Sequence, residues 1–173
     1  MVTEESIRSA FAEKFGAPPV VVVRAPGRVN LIGEHTDYCG LPVLPIAIDR
    51  ATFVAASSTT DGIVRAVSTA FKSPAELSRR ALPHQSEPWH EYLAGALREL
   101  SEVNPGQGAN VYISGDLPTT GGLSSSSAFT VGVLAALSTA WGSVWEPGAL
   151  ALTAAAAERR VGVETGGMDQ MII

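Results

Sequence analysis

Cysteine occurs once, at Cys39, so no disulfide closes within this sequence, and no clustered Cys/His spacing reads as a zinc site. Lysine is almost as scarce. Lys14 and Lys72 are the only two, and the formal net charge is -5. That balance lacks the basic face on which nucleic-acid binding depends. Long apolar runs are missing as well: Gly, Thr or Arg interrupts every hydrophobic stretch short of the roughly 18 residues that a membrane span requires. Glu4 and Glu5 stand where a secretory leader carries bases. These absences set aside nucleic acid and membrane as expected partners and make a cytoplasmic protein the expectation. What the sequence does hold is apolar residue, 46% of 173 positions, enough for one domain with its own core.

The chain alternates helical and extended patterns irregularly. Thr3 is suited to cap a helix in which Ile7, Phe11 and Phe15 form one apolar stripe, ended by Gly16 and Pro18-Pro19. Val20 to Val23 reads as a strand buried on both faces, and Pro26-Gly27 as a turn after it. Leu41 to Ala47, with two prolines, reads as irregular or edge structure. Residues 48–56 and 62–68 read as two strands joined by a turn at 57–61. Residues 71–87 read as loop with a short helical piece, 88–102 as a helix and 110–114 as a strand. Two long helices follow, about 125–141 and 147–161, and 162–170 reads as loop. With no internal repeat and no linker, this order favours an α+β fold over a doubly wound parallel sheet.

Two stretches carry the chemistry. Arg28-Val29-Asn30-Leu31-Ile32-Gly33-Glu34-His35-Thr36-Asp37-Tyr38 packs carboxylates, histidine, arginine and asparagine behind an apolar strand. Such convergent polar density on a rigid support fits a sugar, whose vicinal hydroxyls need acceptors at fixed angles. Gly121-Gly122-Leu123-Ser124-Ser125-Ser126-Ser127-Ala128 leads from a loop into a helix N-terminus, where free N–H groups, the macrodipole and serine hydroxyls favour phosphate. It is no Walker loop, since GxxxxGK[ST] needs a lysine and none is near. On residue chemistry alone, a Ser-rich helix cap serves as well for the second stretch, and exposed turn residues for Glu34 and Asp37.

Residues 27–38 resemble the galactokinase signature of the GHMP sugar and metabolite kinases. Residues 118–128 are similar to that superfamily's phosphate loop, with Thr120 where its first glycine is usual and Ser127 extending the serine run. Residues 158–170, ending Gly167-Met168-Asp169-Gln170, resemble the third galactokinase motif. Motif details at 37–40 and 158–169 look closer to the N-acetylgalactosamine kinase branch. The resemblance covers about residues 20–173 and implies a ribosomal protein S5 domain 2-like N-terminal domain. A second, C-terminal domain is expected beyond this chain, forming the other wall of a cleft.

The resemblance also implies roles. Arg28 and Asp169 are the catalytic pair, Asp169 facing the anomeric hydroxyl and Arg28 lying near it and the γ-phosphate. Glu34, His35, Asp37 and Gly166 hold the sugar. Gly121, Gly122, Leu123, Ser124, Ser125 and Ser126 bind ATP, and Ser126 with Glu158 holds Mg²⁺. For Glu158 a solvated helix terminus is the alternative, and core packing is the first reading of Trp89 and Tyr92. The implied activity is an ATP-dependent sugar 1-kinase acting on galactose or N-acetylgalactosamine; the competing class is a sugar- and ATP-binding regulator without turnover. Residues 1–173 alone are expected to be inactive and, with a half-formed cleft, to self-associate.

Overall fold

The computed structural model describes residues 2–33 and 36–173. Helix α1, Glu4–Phe15, opens on a capping box: Ser6 N–H donates to Thr3 Oγ1 (3.2 Å), and Thr3 N–H donates to Ser6 Oγ (3.0 Å). Gly16 ends it in the left-handed region, φ 79°. Five strands follow the order β1-β2-β5-β3-β4, with β1 at Val21–Asn30, β2 at Pro45–Thr59, β3 at Ile63–Ser68, β4 at Ala75–Ser78 and β5 at Gly108–Gly115. All pairings are antiparallel except β3 with β5. The fold is therefore a mixed sheet with segregated helices, as the α+β expectation had it.

Strand alternation divides two cores between the sheet's faces. From β2, Ala51, Phe53 and Ala55 meet Ile7 and Phe11 of α1. Val54 and Ala56, with Val64 and Val111, face the helical layer of α2 (Pro88–Glu99), α3 (Ser125–Ala140) and α4 (Pro147–Arg160). Helix α3 lies across β1 and β2, which brings its N-terminus to the end of β1. A short helix α5, Met168–Ile172, packs on α4 and β2.

Several expectations change in the structure. Val20 is 65% exposed and Val21 to Val23 are half-buried, because β1 is an edge strand with a neighbour on one side only. Pro26-Gly27 makes no turn. It is a shift in register, after which β1 continues and bends so that Arg28 is re-aimed. The reading of 41–47 as irregular or edge structure holds: 41–44 lie outside any strand, and β2 begins at Pro45 opposite Asn30, paired on one side only and beyond the reach of β5. Strands β2 and β3 follow one another in sequence but are not neighbours, since β5 inserts between them. Residues 75–78 are strand rather than helix. The end of the 162–170 stretch begins α5 rather than remaining loop.

Two polar devices hold the side of the sheet away from β1. Arg79 donates to the carbonyls of Leu100, Val103, Asn104 and Gln107 at 2.7–2.9 Å, with its guanidinium carbon 3.9 Å above the Trp141 ring. Arg79→Met is expected to cost about 2–3 kcal/mol in urea unfolding, because it leaves several carbonyls without their charged donor. At the β2–β3 turn, Asp61 accepts from Arg65, Thr59 and the Ile63 N–H. The Arg65 hydrogen bond, then those from Thr59 and Ile63, lower its pKa from 3.8 to about 2. A folded value below the unfolded one adds stability at neutral pH that is lost as pH falls from about 4 to 2. Asp61→Asn should flatten that part of a stability–pH profile.

Candidate active site

Three segments far apart in sequence meet where β1 runs out. Arg28 donates from Nε to Asp169 Oδ1 at 2.6 Å and from Nη2 to Oδ2 at 2.7 Å, a two-pronged pair joining β1 to α5. Its third group, Nη1, donates to the Gly122 carbonyl at 2.7 Å. The Arg28 backbone N–H also donates to Leu123 O. One guanidinium thereby fixes the glycine loop against the carboxylate. Both side chains are largely shielded, 13% exposed for Arg28 and 20% for Asp169, which strengthens a charge-assisted pair.

The loop itself is bent by Gly121 at φ 115° and Gly122 at φ 73°. Thr120 has no positive φ, so threonine in place of the usual glycine carries no backbone strain. The residue that does adopt a strained conformation is Ser124, at φ 57° and ψ 42°, directly before α3. Its hydroxyl does not cap the helix but donates to Asp169 Oδ2. The first N–H groups of α3 are left without a side-chain cap, the arrangement that favours an anion. Ser125 Oγ turns back to Thr119 O at 3.2 Å. Ser126 follows in the first turn of α3, where its carbonyl accepts from Thr130 Oγ1 at 2.9 Å.

Asp37 begins a single 3-10 turn, Asp37–Cys39, and its Oδ2 accepts from the Gly166 N–H at 3.1 Å. Gly166 admits no side chain: a Cβ would lie 2.4 Å from the Asp37 carbonyl carbon and 2.6 Å from the Tyr38 nitrogen. Two backbones therefore touch here, bringing Asp37 and Gly166 together as the motifs imply. Glu34 and His35 lie outside the described residues.

Glu158 is no solvated helix terminus. It is 2% exposed, with Oε2 accepting from Ser127 Oγ at 3.3 Å and Oε1 buried without a partner. Burial pushes its pKa up, against hydrogen bonds from Gln170 and Ser127, and the nearby Asp169 carboxylate adds to the rise. Burial raises the pKa of Tyr92 on α2, and the Glu158 charge adds to the rise.

Two cavities adjoin these groups. The larger, about 430 Å³, reaches Ser125 and Ser126 and is walled by Thr69, Phe71, Trp89 and Phe129. Trp89 and Phe71 stack there, with ring centroids 5.5 Å apart. Trp89 belongs to the core, and its indole N–H is buried without a partner. The smaller, about 300 Å³, is lined by Asp37, Leu41, Val43, Gly166, Met168 and Met171. Gln170, Thr165 and the unpartnered Trp89 Nε1 were given no role by the sequence reading; nothing in residue type or spacing marks a hydrogen bond between distant elements.

Residues 9–58 match the galactokinase galactose-binding signature, and residues 91–173 match the GHMP kinases N terminal domain. The chain belongs to the galactokinase family of the GHMP kinases. Among its relatives in this family, the galactokinase of Roseiflexus sp. is 41% identical over 99% of this chain. That of Chloroflexus aggregans is 42% identical over 96% of it. The chain spans 44% of the length of each. The crystal structure of Lactococcus lactis galactokinase complexed with galactose superposes with a TM-score of 0.87 at 30% identity, over 98% of this chain and 45% of that one. Methanococcus jannaschii mevalonate kinase, at TM-score 0.74 and 20% identity over 87% of this chain and 50% of that one, shares the fold.

An unpartnered buried carboxylate opposes folding once it is charged. A pKa raised on folding means that the native state holds its proton more tightly than the unfolded chain, so stability falls as pH rises through that range. Glu158→Gln is expected to raise the urea midpoint at pH 8, with the gain fading as pH drops below the ordinary glutamate range.

Proposed function

We propose that the full-length protein carrying this chain is an ATP-dependent sugar 1-kinase acting on galactose or N-acetylgalactosamine. The observation that carries the reading is the Arg28–Asp169 pair, bonded into the turn before an uncapped helix N-terminus. A module that only sensed sugar would need the contacts to hydroxyls but not this pair. The galactokinase name borne by its relatives, and the galactose in the Lactococcus lactis crystal structure, agree with it.

In this reading the triphosphate rests on Gly121, Gly122, Leu123, Ser124, Ser125 and Ser126, with the base in the larger cavity beside Trp89 and Tyr92. The stacked Phe71 and Trp89 rings that wall this cavity support that placement. The sugar lies toward the smaller cavity, held by Glu34, His35, Asp37 and the Gly166 turn. Its C1 oxygen attacks the γ-phosphorus in line, the bond to the β–γ bridging oxygen breaks, and ADP leaves. The hydroxyl proton passes to Asp169, or is oriented by it, while Arg28 offsets charge gathering on the transferred group. Catalysis is then mainly positioning and electrostatics.

The residues present fit magnesium. Glu158 Oε1 is buried without a partner, Ser126 stands in the first turn of α3 next to the Ser127 that bonds Glu158, and magnesium takes few protein oxygens alongside phosphate and water. Ser126 and Glu158 would hold the ion, and when bound it supplies charge neutralisation on the donor phosphates.

A further domain, in the part of the relatives' length that this chain does not span, would form the facing wall of the cleft. Residues 1–173 alone should therefore show no appreciable turnover, since one wall neither excludes water nor closes on the donor. Association of the isolated 1–173 chain in sedimentation is expected from Leu31, Ile32, Leu41 and Leu44, all more than half exposed.

The test is an ADP-release assay on the full-length protein with Mg²⁺-ATP against galactose, N-acetylgalactosamine, arabinose, glucose and mevalonate. Turnover is expected with one of the first two. Asp169→Ala should lower kcat by about 10²–10⁴-fold while calorimetric sugar binding persists. Silence on every substrate with sugar still bound would replace the kinase reading by a non-catalytic regulator.

A further inference from the structure

The most connected buried side chain near the site belongs to a residue that the roles above leave idle. Gln170, on α5 immediately after Asp169, is 3% exposed, yet both ends of its amide are engaged. Nε2 donates to Ser127 Oγ at 3.2 Å. Ser127, itself 2% exposed, passes its own proton on to Glu158 Oε2 at 3.3 Å. At the other end, Oε1 accepts from Thr165 Oγ1 at 3.2 Å, and Thr165 Oγ1 accepts from the Gly167 N–H at 3.2 Å. The adjoining Gly166 N–H is the group that meets Asp37.

A buried primary amide is an expensive core filler unless each polar atom is paired, and leucine or methionine fills the same space without that demand. Here the pairing has a direction. One end of the amide reaches the carboxylate of α4 through the Ser127 hydroxyl, which occupies Oε2 and leaves Oε1 as the free oxygen; the other end reaches the 165–167 turn. Hydrogen bonds behind a ligating group fix its orientation, and their loss typically weakens metal affinity or activity by about 10–100-fold.

We propose that Gln170 is a positioning residue that sets two subsites at once, the metal carboxylate Glu158 through its amide nitrogen and the sugar-side turn at Thr165–Gly167 through its amide oxygen. The inference rests on the kinase reading. It gives Ser127 the role of relay on the metal arm alone.

The experiment separates the two arms in the full-length protein. Mn²⁺ binding to the ADP complex is read by electron paramagnetic resonance, galactose binding by calorimetry, and kcat and KM by turnover. Gln170→Met is expected to weaken both Mn²⁺ and galactose binding, the former by about tenfold. Ser127→Ala should weaken Mn²⁺ binding and leave galactose within twofold. Thr165→Val should do the reverse, raising the galactose KM without moving Mn²⁺. A core-filling role for Gln170 would lower the unfolding midpoint but show no such split. The proposal is overturned if Gln170→Met shifts neither ligand, or if Ser127→Ala and Thr165→Val each shift both. If Gln170→Met does not fold, the two single-arm variants still decide. A wild-type protein that binds neither Mn²⁺-ADP nor galactose would end the kinase reading and this inference together; one that binds both without the split ends this inference alone.

Discussion

One guanidinium holds the site together. Arg28 reaches Asp169, 141 positions later in sequence, through two short bonds and keeps a third for the carbonyl of the glycine loop. One side chain thus joins the end of β1, the turn before α3 and the N-terminus of α5. Such a pair is weak evidence for stability, because desolvating both charges offsets much of their attraction. Its contribution is arrangement. The bulge at Pro26–Arg28 belongs to the same device, since an unbroken register would place the arginine differently relative to the helical layer.

Around that pair the chain gives up local stability. Ser124 sits in the left-handed region at a cost of about 1–3 kcal/mol and spends its hydroxyl on Asp169 instead of on its own helix. Glu158 is buried with one oxygen unpartnered. Neither choice helps the domain fold. The network through Gln170 is the opposite case: every polar atom of the amide is paired, and it links the two kinds of subsite rigidly.

Local chemistry was legible where periodicity and capping governed it. Thr3 and Gly16 bound α1, Pro88 and Pro147 start α2 and α4, and the glycine–serine run does open α3. The pairing order was not legible. Nothing in residues 48–68 announces that β5 will separate two consecutive strands, because that contact is made by residues 108–115. Strand β4 has only four residues, with Glu76 and Ser78 exposed, too short a pattern to stand out. In the site, Arg28, Asp37, Gly166 and Asp169 were readable as motif members, and their contacts match the motif order. Glu158 on an Ala-rich helix beside two arginines gave no sign of its burial. Gln170 gave no sign of its bonds to Ser127 and Thr165, since a glutamine's partners depend on the tertiary packing of α3, α4 and the last turn.

The place of β5 in the sheet has a consequence for how the molecule comes to exist. Strands β1 and β2 make one antiparallel pair and β3 and β4 another, each closed by contacts between consecutive strands. The two halves meet only through β5, antiparallel to one and parallel to the other. During synthesis the ribosome releases both ribbons before the strand that joins them, each with an unpaired edge exposed. Folding is then less a progressive collapse than a late stitch. Completion of the sheet, and with it the seating of α3 against β1, waits on a single central strand and on the slow closure of long loops.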